Sequence, residues 1–208
     1  MRTTLLTRAL LLVLAGMCFG WLASAANHGH LPGSPHVPKV LGNDWAWLCA
    51  AFVAAWPARG WTAAFRRVGL FLIPAVVAYY VSDLFAGTYD QALPSSAGTA
   101  GIDGTGLITD VIAYIVIGLL TSAGLALLVT AIHRGGLIGL VASLVLPAYL
   151  VYKGFGTARI SDDDAALQVV ATWVGIAGLA AGVAVILLGA RRWSVRYTAG
   201  RADSRGAP

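Results

Sequence analysis

Long apolar runs alternate with short polar segments along most of this chain. A helix needs roughly 20 apolar residues to cross about 30 Å of hydrocarbon, and four of the runs reach or approach that length. A fifth run, 135–152, is slightly short, and 45–56 becomes long enough only when residues 40–44 are added to it. The pattern predicts an all-α bundle of six transmembrane helices, over residues 9–26, 45–56, 68–87, 111–132, 135–152 and 165–190.

The composition excludes a soluble globular domain. Hydrophobic residues make up 58% of the 208 positions and charged residues only 11%, with a mean hydropathy of +0.77. Soluble chains carry about 25% charged residues. The chain is long enough for one membrane domain and too short for a second, soluble one. We therefore expect a single integral-membrane domain over residues 1–192 and a basic, disordered cytoplasmic tail over 193–208.

Basic residues stand at the ends of the apolar runs, where they act as orientation signals. One side of the predicted bundle has only Lys39, Lys153 and Arg159. The positive-inside rule places the richer side, and with it both termini, in the cytoplasm. This predicts a multi-pass protein of the plasma (inner) membrane, and the Arg-over-Lys, Ala- and Gly-rich composition suggests a bacterial source. The richer side holds Arg2, Arg8, Arg59, Arg66, Arg67, Arg134, Arg191, Arg192, Arg196, Arg201 and Arg205.

The net charge of +5 does not predict a nucleic-acid partner, because the basic residues form no stripe or patch. The basic residues after the last apolar run instead predict a contact with lipid. Arg191, Arg192 and Arg196 follow the last run directly, and basic residues in that position bind anionic lipid headgroups.

The first run has an alternative interpretation as a secretory signal. An apolar stretch over 9–22 precedes Ala23-Ser24-Ala25, which matches an A-x-A cleavage site. Cleavage would leave five helices. The stretch 9–26 is longer than a usual signal core, and Gly16 and Gly20 offer a helix-packing face, so we expect the helix to be retained.

Ionisable residues inside apolar runs are the best functional pointers, because a charge in hydrocarbon is costly. Asp83 lies about a turn inside the outer end of the third predicted helix, with Tyr79 on the same face. Asp110 opens the fourth predicted helix, and Tyr114 is one turn deeper. The two helices are joined by the Gly- and Ser-rich loop 88–107, so these four residues are predicted to meet in the outer half as a cation or proton site.

Structural roles compete with this interpretation. Asp110 is also a suitable helix N-cap, and Asp83 is also a suitable ion-pair partner for Lys153 or Arg159 on the outer side. Ser161 and Asp164 have the spacing of a capping box at the start of the sixth helix, which we favour over a calcium site.

Three histidines of the first outer loop, His28, His30 and His36, form a weaker candidate metal site, with Asp44 as a further oxygen ligand. Their spacing matches no fixed motif. Cys18 and Cys49 lie in apolar runs, where we expect small buried side chains and no disulfide.

Two functional classes remain nearly equal at this stage. The polar outer half favours a small transporter or channel, or a membrane subunit of one, that responds to a cation or proton. The small-residue pairs Gly16/Gly20, Gly135/Gly139 and Gly178/Gly182 favour a non-catalytic scaffold that packs against a membrane-protein partner or a second copy. An enzyme ranks last, because no catalytic cluster or cofactor motif is present, and we expect no cofactor.

Overall fold

The computed structural model describes residues 2–30, 35–91 and 101–203, and their side chains over 6–30, 35–90 and 102–191. These residues form seven helices and one pair of two-residue strands. Strand β1 (Asp90–Gln91) pairs antiparallel with β2 (Gly101–Ile102), with Asp90 opposite Ile102. The helices are α1 (Arg2–Asn27), α2 (His36–Leu41), α3 (Asp44–Ala55), α4 (Trp61–Phe85), α5 (Gly104–Arg134), α6 (Gly136–Ile160) and α7 (Ala165–Asp203).

Among the described residues, five helices are long and apolar enough to cross a membrane: α1, α4, α5, α6 and α7. Large aliphatic side chains stand exposed on them, such as Leu120 at 68% and Leu187 at 64%. A soluble protein does not expose apolar surface on this scale. The helices therefore indicate a multi-pass membrane protein.

The weakest predicted helix is also the shortest observed one. Helix α3 has 12 residues, or about 18 Å of rise, well under the thickness of the hydrocarbon. The expected extension through residues 40–44 is wrong, because α2 ends at Leu41 and α3 begins anew after Asn43. A Cβ at Gly42 would collide with the Asn27 side chain, so the chain turns there close against α1.

The chain divides into two compact units, Met1–Thr130 and Ala131–Pro208. In the first unit, α1 and α4 lie side by side and run parallel. A Cβ at Gly16 would overlap the carbonyl oxygen of Phe71, and a Cβ at Gly20 that of Ala75. The matched order of these contacts along both helices sets the direction. The pair Gly16/Gly20 therefore brings two backbones together within the unit.

Helix α3 and residues 104–130 of α5 complete the first unit. Both run antiparallel to α4, since Tyr114 of α5 lies near Tyr80 and Gly118 near Leu72. Trp47, near the start of α3, stacks edge-on against Tyr79 at a centroid distance of 5.9 Å. At the other end of α3, Arg67 Nε donates to the Ala54 carbonyl at 2.7 Å and so binds one of the last free carbonyls of that helix. The shared core consists of Ala51, Ala54, Ala55, Val68, Phe71, Leu72, Leu125 and Val129.

The second unit is a hairpin of α6 and α7. Small residues again allow the two helices to lie close together. A Cβ at Gly154 would collide with Gly175, and a Cβ at Gly178 would lie 2.8 Å from the Pro147 carbonyl. Asp164 caps α7 by accepting the Leu167 N–H at 2.9 Å.

Two smaller sequence predictions need correction in this unit. Ser161 does not form the expected capping box, because its hydroxyl donates back to the Thr157 carbonyl of α6. The pair Gly135/Gly139 is confirmed only for its second member. Gly135 has φ +71° and makes the turn into α6. Gly139 does allow a close approach, because its Cβ would lie 2.9 Å from the Ile132 carbonyl of α5. Helix α7 continues to Asp203, past the predicted start of the tail.

The glycine face of α1 should be intolerant of a single methyl group. Gly20→Ala overlaps the Ala75 carbonyl and should lower the free energy of unfolding in detergent by about 1–3 kcal/mol, the usual penalty for overpacking. Gly69→Ala is the matched control, because nothing lies within 4 Å of its Cβ position. That change should be neutral or stabilising by about 0.5–1 kcal/mol. Equal effects of the two substitutions on thermal unfolding would contradict the close packing of α1 on α4.

Candidate functional site

A buried carboxylate lies where α1 meets the last turns of α4. Asp83 is 6% exposed, and its Oδ1 accepts the hydroxyl of Ser24 at 2.6 Å. His28 Nε2 approaches the same oxygen to 2.9 Å. We call Ser24, His28 and Asp83 the outer cluster.

The residues of the outer cluster continue the four-residue spacing of the small residues at which α1 and α4 pack. On α1, Gly16, Gly20, Ser24 and His28 follow one another at four-residue intervals, so they share a face. The partner face of α4 has Phe71, Ala75, Tyr79 and Asp83 at the same interval. The close backbone approach at the two glycines therefore brings the polar side chains together at the end of both helices.

The end of α1 is fixed by its own backbone. Gly29 has φ +71°, its N–H binds the Ala26 carbonyl at 3.1 Å, and the His30 N–H binds the Ala25 carbonyl at 2.9 Å. This pair of hydrogen bonds around a left-handed glycine is a Schellman motif. It holds His28 at the C-cap, one residue beyond the end of α1, facing Asp83.

Exposure falls steadily through the outer cluster. Thr88 is exposed, and its Oγ1 lies 3.3 Å from His28 Nε2. The side chain of His28 is 27% exposed, that of Asp83 is 8% exposed, and Ser24 is fully buried. A polar path therefore leads from the surface through the imidazole to the carboxylate.

Tyr79 does not bind Asp83, although it shares the face of α4. Its hydroxyl accepts the Asn27 side-chain amide at 2.9 Å, and its ring packs against Trp47. The predicted Asp83–Tyr79 partnership is thus replaced by a second polar link between α1 and α4.

Asp110 has its own partner and does not cap α5. Tyr89 donates its hydroxyl to Asp110 Oδ2 at 2.9 Å. The helix begins at Gly104, and Asp103 takes the capping position by accepting the Gly106 N–H at 2.9 Å. The N-cap interpretation of Asp110 is therefore wrong.

Aromatic rings connect the surroundings of the two carboxylates. Tyr80 lies 5.6 Å from Tyr114 and 6.5 Å from Tyr89 between ring centroids. This brings α4 and the start of α5 together, as the sequence predicted. Asp83 and Asp110 nevertheless belong to separate hydrogen-bonded groups.

The loop histidines do not converge. The rings of His28 and His30 are 6.0 Å apart, and His36 begins α2. Within the described ranges, no three His, Cys, Asp or Glu residues are placed to hold a metal ion. Cys18 and Cys49 are free thiols, and Cys18 is exposed where we expected burial.

Two of the three arginines predicted to bind headgroups, Arg192 and Arg196, have side chains outside the described residues. Arg191 is exposed on α7.

Sequence reasoning found Asp83 and Asp110 but missed their partners. Ser24, His28 as a carboxylate partner, and Tyr89 emerge only from the packing. The four-residue series that starts at Gly16 was the available signal, because its continuation reaches Ser24 and His28.

No protein-family model matches this chain, and no curated protein and no solved structure matches it. The chemistry of the outer cluster is therefore the basis for a function. Chains of Asp and His inside membrane proteins are typical of proton relays. Imidazole also ordinarily changes its charge between pH 5 and 8.

Tyr89 provides a spectroscopic test of the Asp110 partnership. Burial, and then the hydrogen bond to Asp110 and its negative charge, raise the pKa of Tyr89 above the ordinary value for tyrosine. The absorbance difference between wild type and Tyr89→Phe should therefore develop at a higher pH than the ionisation of free tyrosine. Asp110→Asn should move that difference to lower pH. A difference that coincides with free tyrosine, and that Asp110→Asn leaves unchanged, would contradict this contact.

Proposed function

We propose that this chain is a small transporter- or channel-like membrane protein, or a membrane subunit of one, whose outer cluster takes up and releases a proton. One observation carries the proposal. The Asp83 carboxylate is buried at the end of an apolar helix and accepts hydrogen bonds from Ser24 and His28 on the same oxygen. Such intramembrane ionisable pairs are expensive to bury and mark ion or proton pathways.

The contacts favour a proton over a metal cation. A hydroxyl at 2.6 Å and an imidazole nitrogen at 2.9 Å already occupy Asp83 Oδ1. A metal cation would have to displace a donor from that oxygen, and a protonated His28 would repel it. A proton needs no displacement, because it can reside on the imidazole or on the carboxylate.

The exposure gradient supports a direction of transfer. Thr88 and the partly exposed His28 are reached first from water, and Asp83 and Ser24 lie deeper. His28 would accept a proton from the outer solution and share it with Asp83. The other ionisable groups around this path are Tyr79 and Tyr80 of α4, His30 beyond α1, Tyr89 after α4, and Asp110 and Tyr114 of α5.

The proposal includes six crossings with both termini in the cytoplasm of a plasma (inner) membrane. Because α1 and α4 run parallel, the chain between them must return from one end of the pair to the other. Helices α2 and α3 make that return, and α3 runs antiparallel to α4. The first helix is retained in this proposal, since cleavage after Ala25 would remove Ser24 and the glycine face.

The alternative, a scaffold that binds a partner through small-residue faces, has less support. Gly16 and Gly20 already pack against α4, and Gly178 packs against α6. These faces are occupied within the units, so a partner or second copy would need another surface. Contact of Arg191, Arg192 and Arg196 with anionic headgroups is compatible with either function.

Proton flux into liposomes tests the proposal directly. The purified full-length protein should pass protons down an imposed pH gradient, followed with a trapped pH-sensitive dye. Asp83→Asn should reduce the rate to that of empty liposomes, because the buried acceptor loses its charge. His28→Gln should give an intermediate rate, because the entry group is lost while Asp83 remains. The control Asp163→Asn changes an exposed carboxylate of the α6–α7 turn and should leave the rate unchanged.

The same assay with an imposed sodium or potassium gradient distinguishes a proton pathway from a cation pathway. If the protein passes sodium or potassium but no protons, and Asp83→Asn abolishes that flux, the site binds a cation and the proton proposal is wrong. Absence of any flux from protein with a normal thermal melt would contradict the transporter proposal and favour the scaffold.

A further inference from the structure

A groove of about 590 Å³ lies along one side of the α6–α7 hairpin, entirely within the second unit. Residues 155, 158, 159 and 162 of its lining follow one another along a single face that runs from α6 into the turn. Residues 168, 169, 172, 173 and 176 do the same on α7. The groove is separate from the outer cluster in the chain and in chemistry.

Polarity changes along the length of the groove. Arg159, Asp162 and Gln168 line the end next to the turn between the helices. Ile176 lies eight residues beyond Gln168, so the apolar lining reaches about 12 Å further along the helix axis. This order, charged at the helix ends and apolar towards the middle, matches the order of headgroup and chain in a lipid leaflet.

The apolar part of the groove is lined by one closely packed ring and one exposed ring. The Phe155 ring covers Gly175, whose added Cβ would lie 3.0 Å from it. Trp173 of α7 also lines the groove and is 66% exposed.

The charged end carries one group of each sign. Arg159 and Asp162 both line the groove, and neither forms an ion pair within the part of the chain that the structure describes. A guanidinium recognises phosphate with two parallel hydrogen bonds, and a carboxylate recognises an ammonium group. A headgroup with a phosphate and an ammonium satisfies both, whereas an anionic headgroup would meet Asp162 unfavourably.

We infer that this groove is a binding site for a zwitterionic phospholipid of the phosphatidylethanolamine type. Its phosphate lies at Arg159, its ammonium at Asp162, and one acyl chain runs along Phe155, Trp173 and Ile176. The site selects the lipid by paired charges, unlike the general attraction of a basic tail for anionic lipids.

Native mass spectrometry of the full-length protein tests this assignment. The protein is released from detergent in an equimolar mixture of phosphatidylethanolamine and phosphatidylglycerol. Wild type should retain one phosphatidylethanolamine in preference to phosphatidylglycerol. Arg159→Gln should weaken its retention about tenfold, equivalent to about 1.4 kcal/mol. Asp162→Asn should remove the preference, because phosphatidylglycerol no longer faces a carboxylate. Arg134→Gln, an exposed arginine outside the groove, should change nothing.

Two further measurements distinguish binding of a whole lipid from binding of its headgroup alone. Trp173→Ala should weaken retention of both lipids, since the chain loses its contact. Phosphoethanolamine, the headgroup without chains, should compete poorly. Equal retention of the two lipids by wild type, full retention by Arg159→Gln, or effective competition by phosphoethanolamine would each overturn the lipid site. Thermal melts of all variants establish that they are folded, and Arg159 and Trp173 are exposed enough for the substitutions to be tolerated.

Discussion

The close approach of α1 to α4 is the contact on which the rest of the first unit depends. In a membrane, apolar helices gain little from leaving lipid, so association relies on dispersion and polar contacts at short range. Gly16 and Gly20 remove the side chains that would hold the backbones apart. Ser24 and His28 follow at the same spacing, so the approach that packs the helices also brings donors to Asp83. Packing and chemistry thus share one helix face.

That arrangement explains how a carboxylate can stay buried there. Burial of a charge is costly unless it is hydrogen-bonded or paired, and the Asp83 carboxylate has the Ser24 hydroxyl and the His28 imidazole within hydrogen-bond distance. Such a pair is nevertheless a poor way to stabilise a fold, because apolar residues of similar size often serve as well or better. Asp110 is less buried than Asp83, and a single phenol hydroxyl, that of Tyr89, donates to its carboxylate. Under the function proposed above, the cost of burying Asp83 is explained by proton uptake rather than by a gain in stability.

Much of the fold could be predicted from periodicity and hydropathy, because the span of a helix follows directly from membrane thickness. All six apolar runs form helices, and Asp83 was found because a charge in such a run is conspicuous. The four-residue series from Gly16 places Ser24 and His28 on one face, but their pairing with Asp83 could not be predicted, since it depends on which two helices touch and in which direction. The parallel pairing of α1 with α4 skips over α3, and no local pattern encodes it. Asp110 was misjudged as a cap because α5 begins earlier, at Gly104, with Asp103 as the cap.

The central claim is that helix packing delivers the His28 imidazole to the Asp83 carboxylate. Nitrogen-15 NMR of histidine-labelled protein tests it most directly, with the His28 signal assigned from its absence in His28→Gln. We expect the His28 Nε2 resonance to move in Asp83→Asn, which removes the charged acceptor. It should also move in Gly20→Leu, which forces the helices apart, and remain in place in Gly69→Ala. A His28 resonance that is the same in wild type, Asp83→Asn and Gly20→Leu would contradict the account.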